Sequence, residues 1–278
     1  MSTAVAPIQP VVPRHAATVC LLRDGERGVE VFVMRRKPSM SFAPRMYVYP
    51  GGAVDPEDST VPIAAHSDLV EVGKSLSTSD PVSILAAAAR ETFEECGVLI
   101  ALDAHGEAVD PATDLRADRS ELVAGRTSFT QILDRRGLVV DDGSLVPLTH
   151  WITPEDESRR YDARFLVAGI PKGQRTYEVD GEADRVAWIR PIDAMTAWQS
   201  GELDMWIPTV ATMRLLTETD SVTEALAAAR KRTIVPRMPH PVETDGQVVW
   251  RVIHASTRQI IDDTQPLTEV DLGESGLI

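Results

Sequence analysis

Apolar and polar positions follow two rhythms along this chain. Short apolar runs at Ala17 to Leu22, Val29 to Met34 and Met46 to Tyr49 predict strands, the first two joined through a turn at Asp24-Gly25. Similar runs at 148–152, 161–168 and 185–189 predict three more. The helical rhythm is clearest after Asp80. At about 100° per residue, Val82, Leu85, Ala89, Phe93 and Cys96 share one apolar face. Asp80 is a good N-cap, Pro81 falls where a missing N–H does no harm, and Ala86 to Ala89 is a strong helix former. Gly97 stands where a left-handed C-terminal residue is wanted. Ser120 to Arg136 reads as a second amphipathic helix, and 191–201, 207–218 and 221–231 as three more. Strands mixed with helices predict an α/β fold with a sheet between helical layers.

The polar face of the helix after Asp80 carries the chemistry. Glu91, Glu94 and Glu95 stand at i, i+3 and i+4, so their carboxylates are neighbours on the helix surface. Three crowded carboxylates repel one another unless a cation sits among them, and hard oxygen ligands suit Mg²⁺ or Mn²⁺. An acidic outer face of an amphipathic helix is also a routine solvated surface, so the cluster alone does not decide. Upstream, Tyr47 to Asp55 runs from an alternating strand into Pro50-Gly51-Gly52. A glycine pair lets the backbone approach a ligand closely and leaves carbonyls free to face a cation.

Here the chain resembles the Nudix hydrolase family. Its signature is a glycine, five residues, a glutamate, seven residues, then Arg-Glu-(apolar)-x-Glu-Glu-x-Gly-(apolar). Arg90 to Val98 matches the second half, with Thr92 in the apolar slot, and Gly52 matches the opening glycine. The distance from Gly52 to Arg90 is some two dozen residues longer than in the signature. The extra stretch, 56–79, is rich in Ser, Asp, Pro and Thr and reads as a surface excursion. Counting back from Arg90, Val82 takes the place of the signature's first glutamate, and Asp55, Glu57 and Asp80 are the candidates to replace it. The expanded box is similar to the branch that includes coenzyme A diphosphatases. His150 to Glu155 and Arg159 to Ala168 resemble the segment after the box in that branch, and Glu178 to Ile189 its later loop and strand.

The resemblance implies a Nudix-type α/β/α sandwich with a mixed sheet, covering about 14–218, followed by a C-terminal helix and extension over 219–278. It implies metal-dependent hydrolysis of a diphosphate bond linking a nucleoside diphosphate to another group. Glu91, Glu94 and Glu95 would hold Mg²⁺ or Mn²⁺, joined by the Gly52 carbonyl, and Arg90 would orient the glutamates. The base would be Glu91 or an acidic residue of the later loop, Glu182 first, with Glu178 and Asp184 as alternatives. Coenzyme A or acyl-CoA is the favoured substrate, with NADH and ADP-ribose as competitors. A Nudix-fold module that senses a nucleotide without cutting it is the alternative of a different class.

Charge sharpens this picture. A net charge of −14 argues against nonspecific nucleic-acid binding, which needs basic patches. A polyanionic substrate therefore calls for local cations, and Arg35, Arg36, Lys37 and Arg45 form one group, Arg159, Arg160 and Arg164 another. Arg35, Arg36, Arg45 and Arg160 are the candidate substrate contacts. The six histidines lack a His-x-x-x-His spacing, and neither a Gly-x-Ser-x-Gly elbow nor a phosphate-cradling glycine loop with lysine occurs. Trp206 and Pro208 are candidates for a base pocket or for core packing. Apolar residues make up 43%, without a run long enough to predict a membrane span. Residues 1–13 read as a flexible lead-in, Cys20 and Cys96 as buried thiols, and the cytoplasm as the default compartment. Val248 to Ile253 reads as a late strand at an edge or in a homodimer.

Overall fold

The computed structural model describes residues 11–40, 43–177, 183–244, 247–261 and 267–268. Chain order is β1 (Arg14–Gly25), β2 (Gly28–Arg36), β3 (Tyr47–Val48), β4 (Gly51–Ala53), α1 (Leu69–Leu76), α2 (Pro81–Cys96), β5 (Ala101–Leu102), α3 (Arg116–Val123), α4 (Phe129–Arg136), β6 (Val139–Val140) and β7 (Val146–Ile152). Next come β8 (Tyr161–Gly169), β9 (Ala183–Ile189), α5 (Pro191–Gln199), α6 (Ile207–Leu216), α7 (Val222–Arg230), β10 (Pro236–Thr244), β11 (Gln247–His254) and β12 (Leu267–Thr268). The main sheet is mixed, in the order β12-β11-β10-β7-β8-β1-β2-β3, with β4 added to β1 and β9 to β2. β1 runs parallel to β8, and β10 parallel to β7.

The period-2 alternation of the central strands sorts their side chains onto two buried faces. Ala17, Val19 and Leu21 of β1 share one face with Phe32, Leu166 and Ala168, covered by α2 and α4 through Leu85, Phe93, Ile132 and Leu133. Cys20 and Leu22 share the other with Val31, Val33, Phe165 and Val167, covered by α5, α6 and α7 through Trp198, Val210, Met213 and Ala225. The α/β sandwich expected from the sequence is thus present, with a C-terminal extension of the sheet. Among the described residues no helix is long and apolar enough to cross a membrane.

α2 forms as its sequence dictates. The Asp80 side chain accepts from the Ser83 N–H at 3.1 Å, Pro81 opens the helix, and Gly97 closes it at φ 73°. Its alanines are wholly buried, so the helix is covered on more than the one face its periodicity predicts. Thr92, at the apolar slot, is also fully buried; its hydroxyl donates back to the Ala88 carbonyl at 2.7 Å, which removes the penalty of a lone polar group.

Three expectations need correction. The helix expected over 120–136 is two helices, α3 and α4, parted at Gly125 with φ 66° and restarted by a capping box between Ser128 and Gln131. Leu122, Phe129, Ile132 and Leu133 all turn inward, so the apolar rhythm runs on across the break and conceals it. The stretch 56–79 is not a plain surface excursion. It holds a 3-10 turn, Pro56–Thr60, and α1, and its Asp58 and Leu76 are buried. Finally, β11 pairs with β10 on one side and β12 on the other, so it is not the edge strand.

Candidate active site

β1 and β2 pair only near their turn, from Leu22↔Val31 to Gly25↔Gly28. Beyond that, β1 pairs with β4 and β2 with β3, so the Tyr47–Ala53 ribbon enters where the two long strands part. The glycines make this possible. A Cβ on Gly51 would lie 2.4 Å from the Ala17 carbonyl oxygen, and one on Gly52 would lie 2.4 Å from Glu91 Oε1. Without side chains, the ribbon lets the acidic face of α2 come directly against its backbone. The Gly51 N–H donates to Glu95 Oε2 at 2.7 Å.

The Arg90 guanidinium organises the carboxylates. Nε and Nη2 donate to the two oxygens of Asp58, each at 3.0 Å, and Nη2 also donates to the Ala53 carbonyl at 2.9 Å. Nη1 donates to Glu91 at 2.6 Å and, more weakly, to Glu94 at 3.3 Å. Such a bidentate pair is both strong and directional. Arg119 of α3 donates to the Glu94 carbonyl at 2.6 and 2.8 Å, holding the last turn of α2. The charges are unbalanced. Burial raises the Glu91 carboxyl to about 7, with Glu94 adding repulsion against the opposing pull of Arg90. Burial likewise raises Glu94. Burial pulls Arg90 down, but Asp58 and Glu91 outweigh it and hold the guanidinium above its ordinary value.

Glu91, Glu95 and Gly52 face a cavity of about 480 Å³ on the α6 side of the sheet. Ala16, Ala163 and Trp151 lie along its floor, and Trp206 and Pro208, at the start of α6, form a wall. Arg36 and exposed Arg159 also line it. Glu94 turns to Arg90 instead and does not line the cavity.

The other sequence candidates lie elsewhere. Arg35 makes a bidentate pair with Asp184 at 2.7 Å. Arg45 is exposed and off the cavity wall. Buried Arg160 donates to the carbonyls of Thr153 and Val11, fastening the chain just ahead of β1. Glu178 and Glu182 lie outside the described residues. His150 is buried and bound to Asp162 at 2.5 Å, away from the cavity. Burial raises both cysteines, Cys96 to about 12, as expected of inert buried thiols.

Asp58 is the residue that sequence reasoning missed. Five residues follow Gly52, and the next is Asp58. The extra segment therefore comes after the acid, and counting back from Arg90 lands on Val82 instead. Asp55, Glu57 and Asp80 do not take this part; Asp80 caps α2, and Asp55 stands 3.8 Å from Arg90 at an exposed position.

A glycine ribbon, a buried acid, an arginine and three glutamates are thus joined on an α/β/α scaffold, and comparison with known proteins decides the family. Residues 67–216 match the family model of the NUDT19 Nudix domain. The chain belongs to the Nudix hydrolase family. The matched region takes in α2 with its glutamates; Gly52 and Asp58 precede it. The acyl-coenzyme A diphosphatase NUDT19 of Gallus gallus is 25% identical over 219 residues, 63% of this chain and 57% of that protein. Its Homo sapiens counterpart is 21% identical over 219 residues, covering 65% and 58%. The chain therefore spans less than three fifths of the length of these relatives. Among solved structures, a Nudix hydrolase from Alicyclobacillus acidocaldarius is 32% identical, with a TM-score of 0.64 over 78% of this chain and 96% of that one.

Proposed function

We propose that this Nudix protein hydrolyses the diphosphate bond of a nucleoside diphosphate linked to a second group, with coenzyme A or acyl-CoA as the preferred substrate. The observation that carries this reading is the placement of Glu91, Glu95 and the Gly51-Gly52 backbone on one side of a roomy cavity that also presents Arg36 and Arg159. The name carried by the NUDT19 relatives supports the choice of substrate. NADH and ADP-ribose share the diphosphate and are the natural competitors.

The donor set fits a divalent cation. Glu91, Glu94 and Glu95 offer hard oxygens and carry more negative charge than Arg90 balances. Among the described residues no three acidic, histidine or cysteine side chains are already gathered around one point. Glu91, Glu94, Glu95 and the Gly52 carbonyl would hold Mg²⁺ or Mn²⁺. Such an ion, when bound, screens the diphosphate oxygens and acidifies a water.

The chain's own groups do the rest. Asp58 fixes Arg90, and Arg90 in turn fixes the position of Glu91. Arg36 and Arg159 take the phosphate oxygens. Glu91, which lines the cavity at the edge of the cluster, is the preferred base for the attacking water; Glu182 is the alternative. Asp58, at the signature's spacing from Gly52 and paired with Arg90, stands where Val82 offers no acid, which counts against the reading as a non-cutting sensor.

The test is cleavage of coenzyme A, octanoyl-CoA, NADH and ADP-ribose with Mg²⁺, with Mn²⁺ and with EDTA, products read by mass spectrometry. The expected result is metal-dependent cleavage at the diphosphate, fastest for the coenzyme A compounds. Coenzyme A inert beside a cleaved competitor would overturn the substrate assignment, and no cleavage of any compound would overturn the activity.

A further inference from the structure

The family match ends at residue 216, but the cavity wall does not: Pro239 of β10 belongs to it. The sheet register gives the cavity a direction. Ala53 stands opposite Ala16, Ala16 opposite Ala163, Ala163 opposite Trp151, and Trp151 opposite Arg237. This row crosses the strands from the glycine ribbon to the C-terminal hairpin. Neighbouring strands lie about 4.8 Å apart, so four steps span roughly 19 Å.

The chemistry changes along the row. At the ribbon end stand Glu91 and Glu95. The floor is then kept low by Ala16 and Ala163, and at the far end Trp151, Ile152, Pro154 and Pro239 form an apolar wall, with Arg159 exposed at the rim. The Arg237 guanidinium lies 5.9 Å from the centre of the Trp151 ring, so the hairpin also steadies that indole. The hairpin is firmly built. β10 pairs with β11 from Arg237↔His254 through Thr244↔Gln247, and Val252, the partner of Pro239, is part of the core beside α6. Its ladder with β7 stops at Arg237, just before Pro239, which lacks an N–H to extend it.

Resting on the diphosphatase reading, we infer that the β10–β11 hairpin is a specificity element. Pro239, with Trp151, Ile152 and Pro154, receives an uncharged, apolar end of the substrate while the diphosphate lies at the ribbon. An acyl thioester carries a hydrocarbon tail of this kind beyond the thiol position; free coenzyme A stops at the thiol, and ADP-ribose ends in a polar sugar.

The test compares Pro239→Arg and Pro239→Ala with the wild type in the full chain, using octanoyl-CoA and free coenzyme A. Two readouts are taken: kcat/KM with Mg²⁺, and Kd from tryptophan fluorescence in EDTA. The wild type should bind octanoyl-CoA more tightly than coenzyme A. Pro239→Arg should weaken both readouts for octanoyl-CoA about tenfold or more while leaving coenzyme A within about twofold. Pro239→Ala keeps the wall apolar and should stay within about threefold on both. Equal losses on the two ligands, no loss in a variant that melts like the wild type, or wild-type binding that ignores the acyl group would each overturn the inference. If nothing is cleaved, the proposed activity fails by itself, and the fluorescence ratio still decides the role of the hairpin.

Discussion

Arg90 and Arg164 are both buried, and both reach into the segment between the glycine ribbon and α2. Arg90 grips Asp58 in the 3-10 turn, and Arg164 donates to the carbonyls of Leu76 and Ser77 at the end of α1, at 3.1 and 3.2 Å. Their company differs. Arg164 pairs with one carboxylate, Asp162 at 2.8 Å, which also meets His15 and His150. Burial opposes the ionised form of Asp162, but the His150 contact and Arg164 outweigh it and hold this carboxyl below its ordinary value. Around Arg90, three carboxylates compete for one guanidinium, and burial wins at Glu91. The first cluster is electrically closed and serves as an anchor. The second has anions in excess, as the proposed metal site requires.

The contrast breaks most sharply at Asp58. Asp58→Ala leaves Arg90 buried without its bidentate partner and should destabilise the fold by about 3–5 kcal/mol, with turnover falling as Glu91 loses its fixed neighbour. Arg164→Ala should destabilise too, yet leave turnover of the folded protein within about twofold. Urea melts beside rate measurements read both, and a wild-type melt for Asp58→Ala would refute the clamp. Glu94→Gln and Glu95→Gln come next. Each should cut turnover at least a hundredfold, about 2.7 kcal/mol in barrier, while the thermal melt stays within a few degrees. An unchanged rate in either would defeat its assignment as a metal ligand.

Smaller effects sharpen the contrast. Gly52→Ala places a methyl group where the Glu91 carboxylate lies and should slow turnover about tenfold, about 1.4 kcal/mol; full activity would mean that Glu91 acts from another position. Protonation gives the last test. Native Glu91 titrates near 7 against an ordinary 4.5, so between those values the folded chain holds the extra proton. Its contribution is complete below about pH 4.5 and is lost as pH rises through 7. In EDTA, Glu91→Gln, which mimics the protonated form, should therefore gain on the wild type from pH 5 to pH 8, by on the order of 1 kcal/mol. A gap that stays constant with pH would show Glu91 to be less burdened than its surroundings imply.

Much of the candidate site was legible because its residues are neighbours along one helix. Glu91, Glu94 and Glu95 converge through the helical repeat, and Asp80, Pro81 and Gly97 mark the ends of that helix without outside help. The arginines were not legible. A sequence shows that Arg35, Arg36, Arg159 and Arg160 are cationic and adjacent in pairs, but not what each side chain meets. Arg36 and Arg159 line the cavity, while Arg35 is paired with Asp184 and Arg160 with backbone carbonyls. Asp58 was half legible, since forward counting from Gly52 finds it, but only the fold shows that it is buried and faces Arg90.

By itself, then, the sequence determined what local rules decide: the rhythm of the strands, α2 with its caps, and three carboxylates on one helical face. Tertiary structure decided every pairing between distant segments. It broke the 120–136 rhythm at Gly125, buried Asp58 against Arg90, sorted the arginines into cavity-lining and structural groups, and laid the C-terminal hairpin along the far end of the cavity. The reason is physical. A helix cap or an i, i+4 contact depends on backbone geometry within a few residues, whereas the partner of a buried charge depends on which strands lie side by side, and that is settled only when the sheet closes its register.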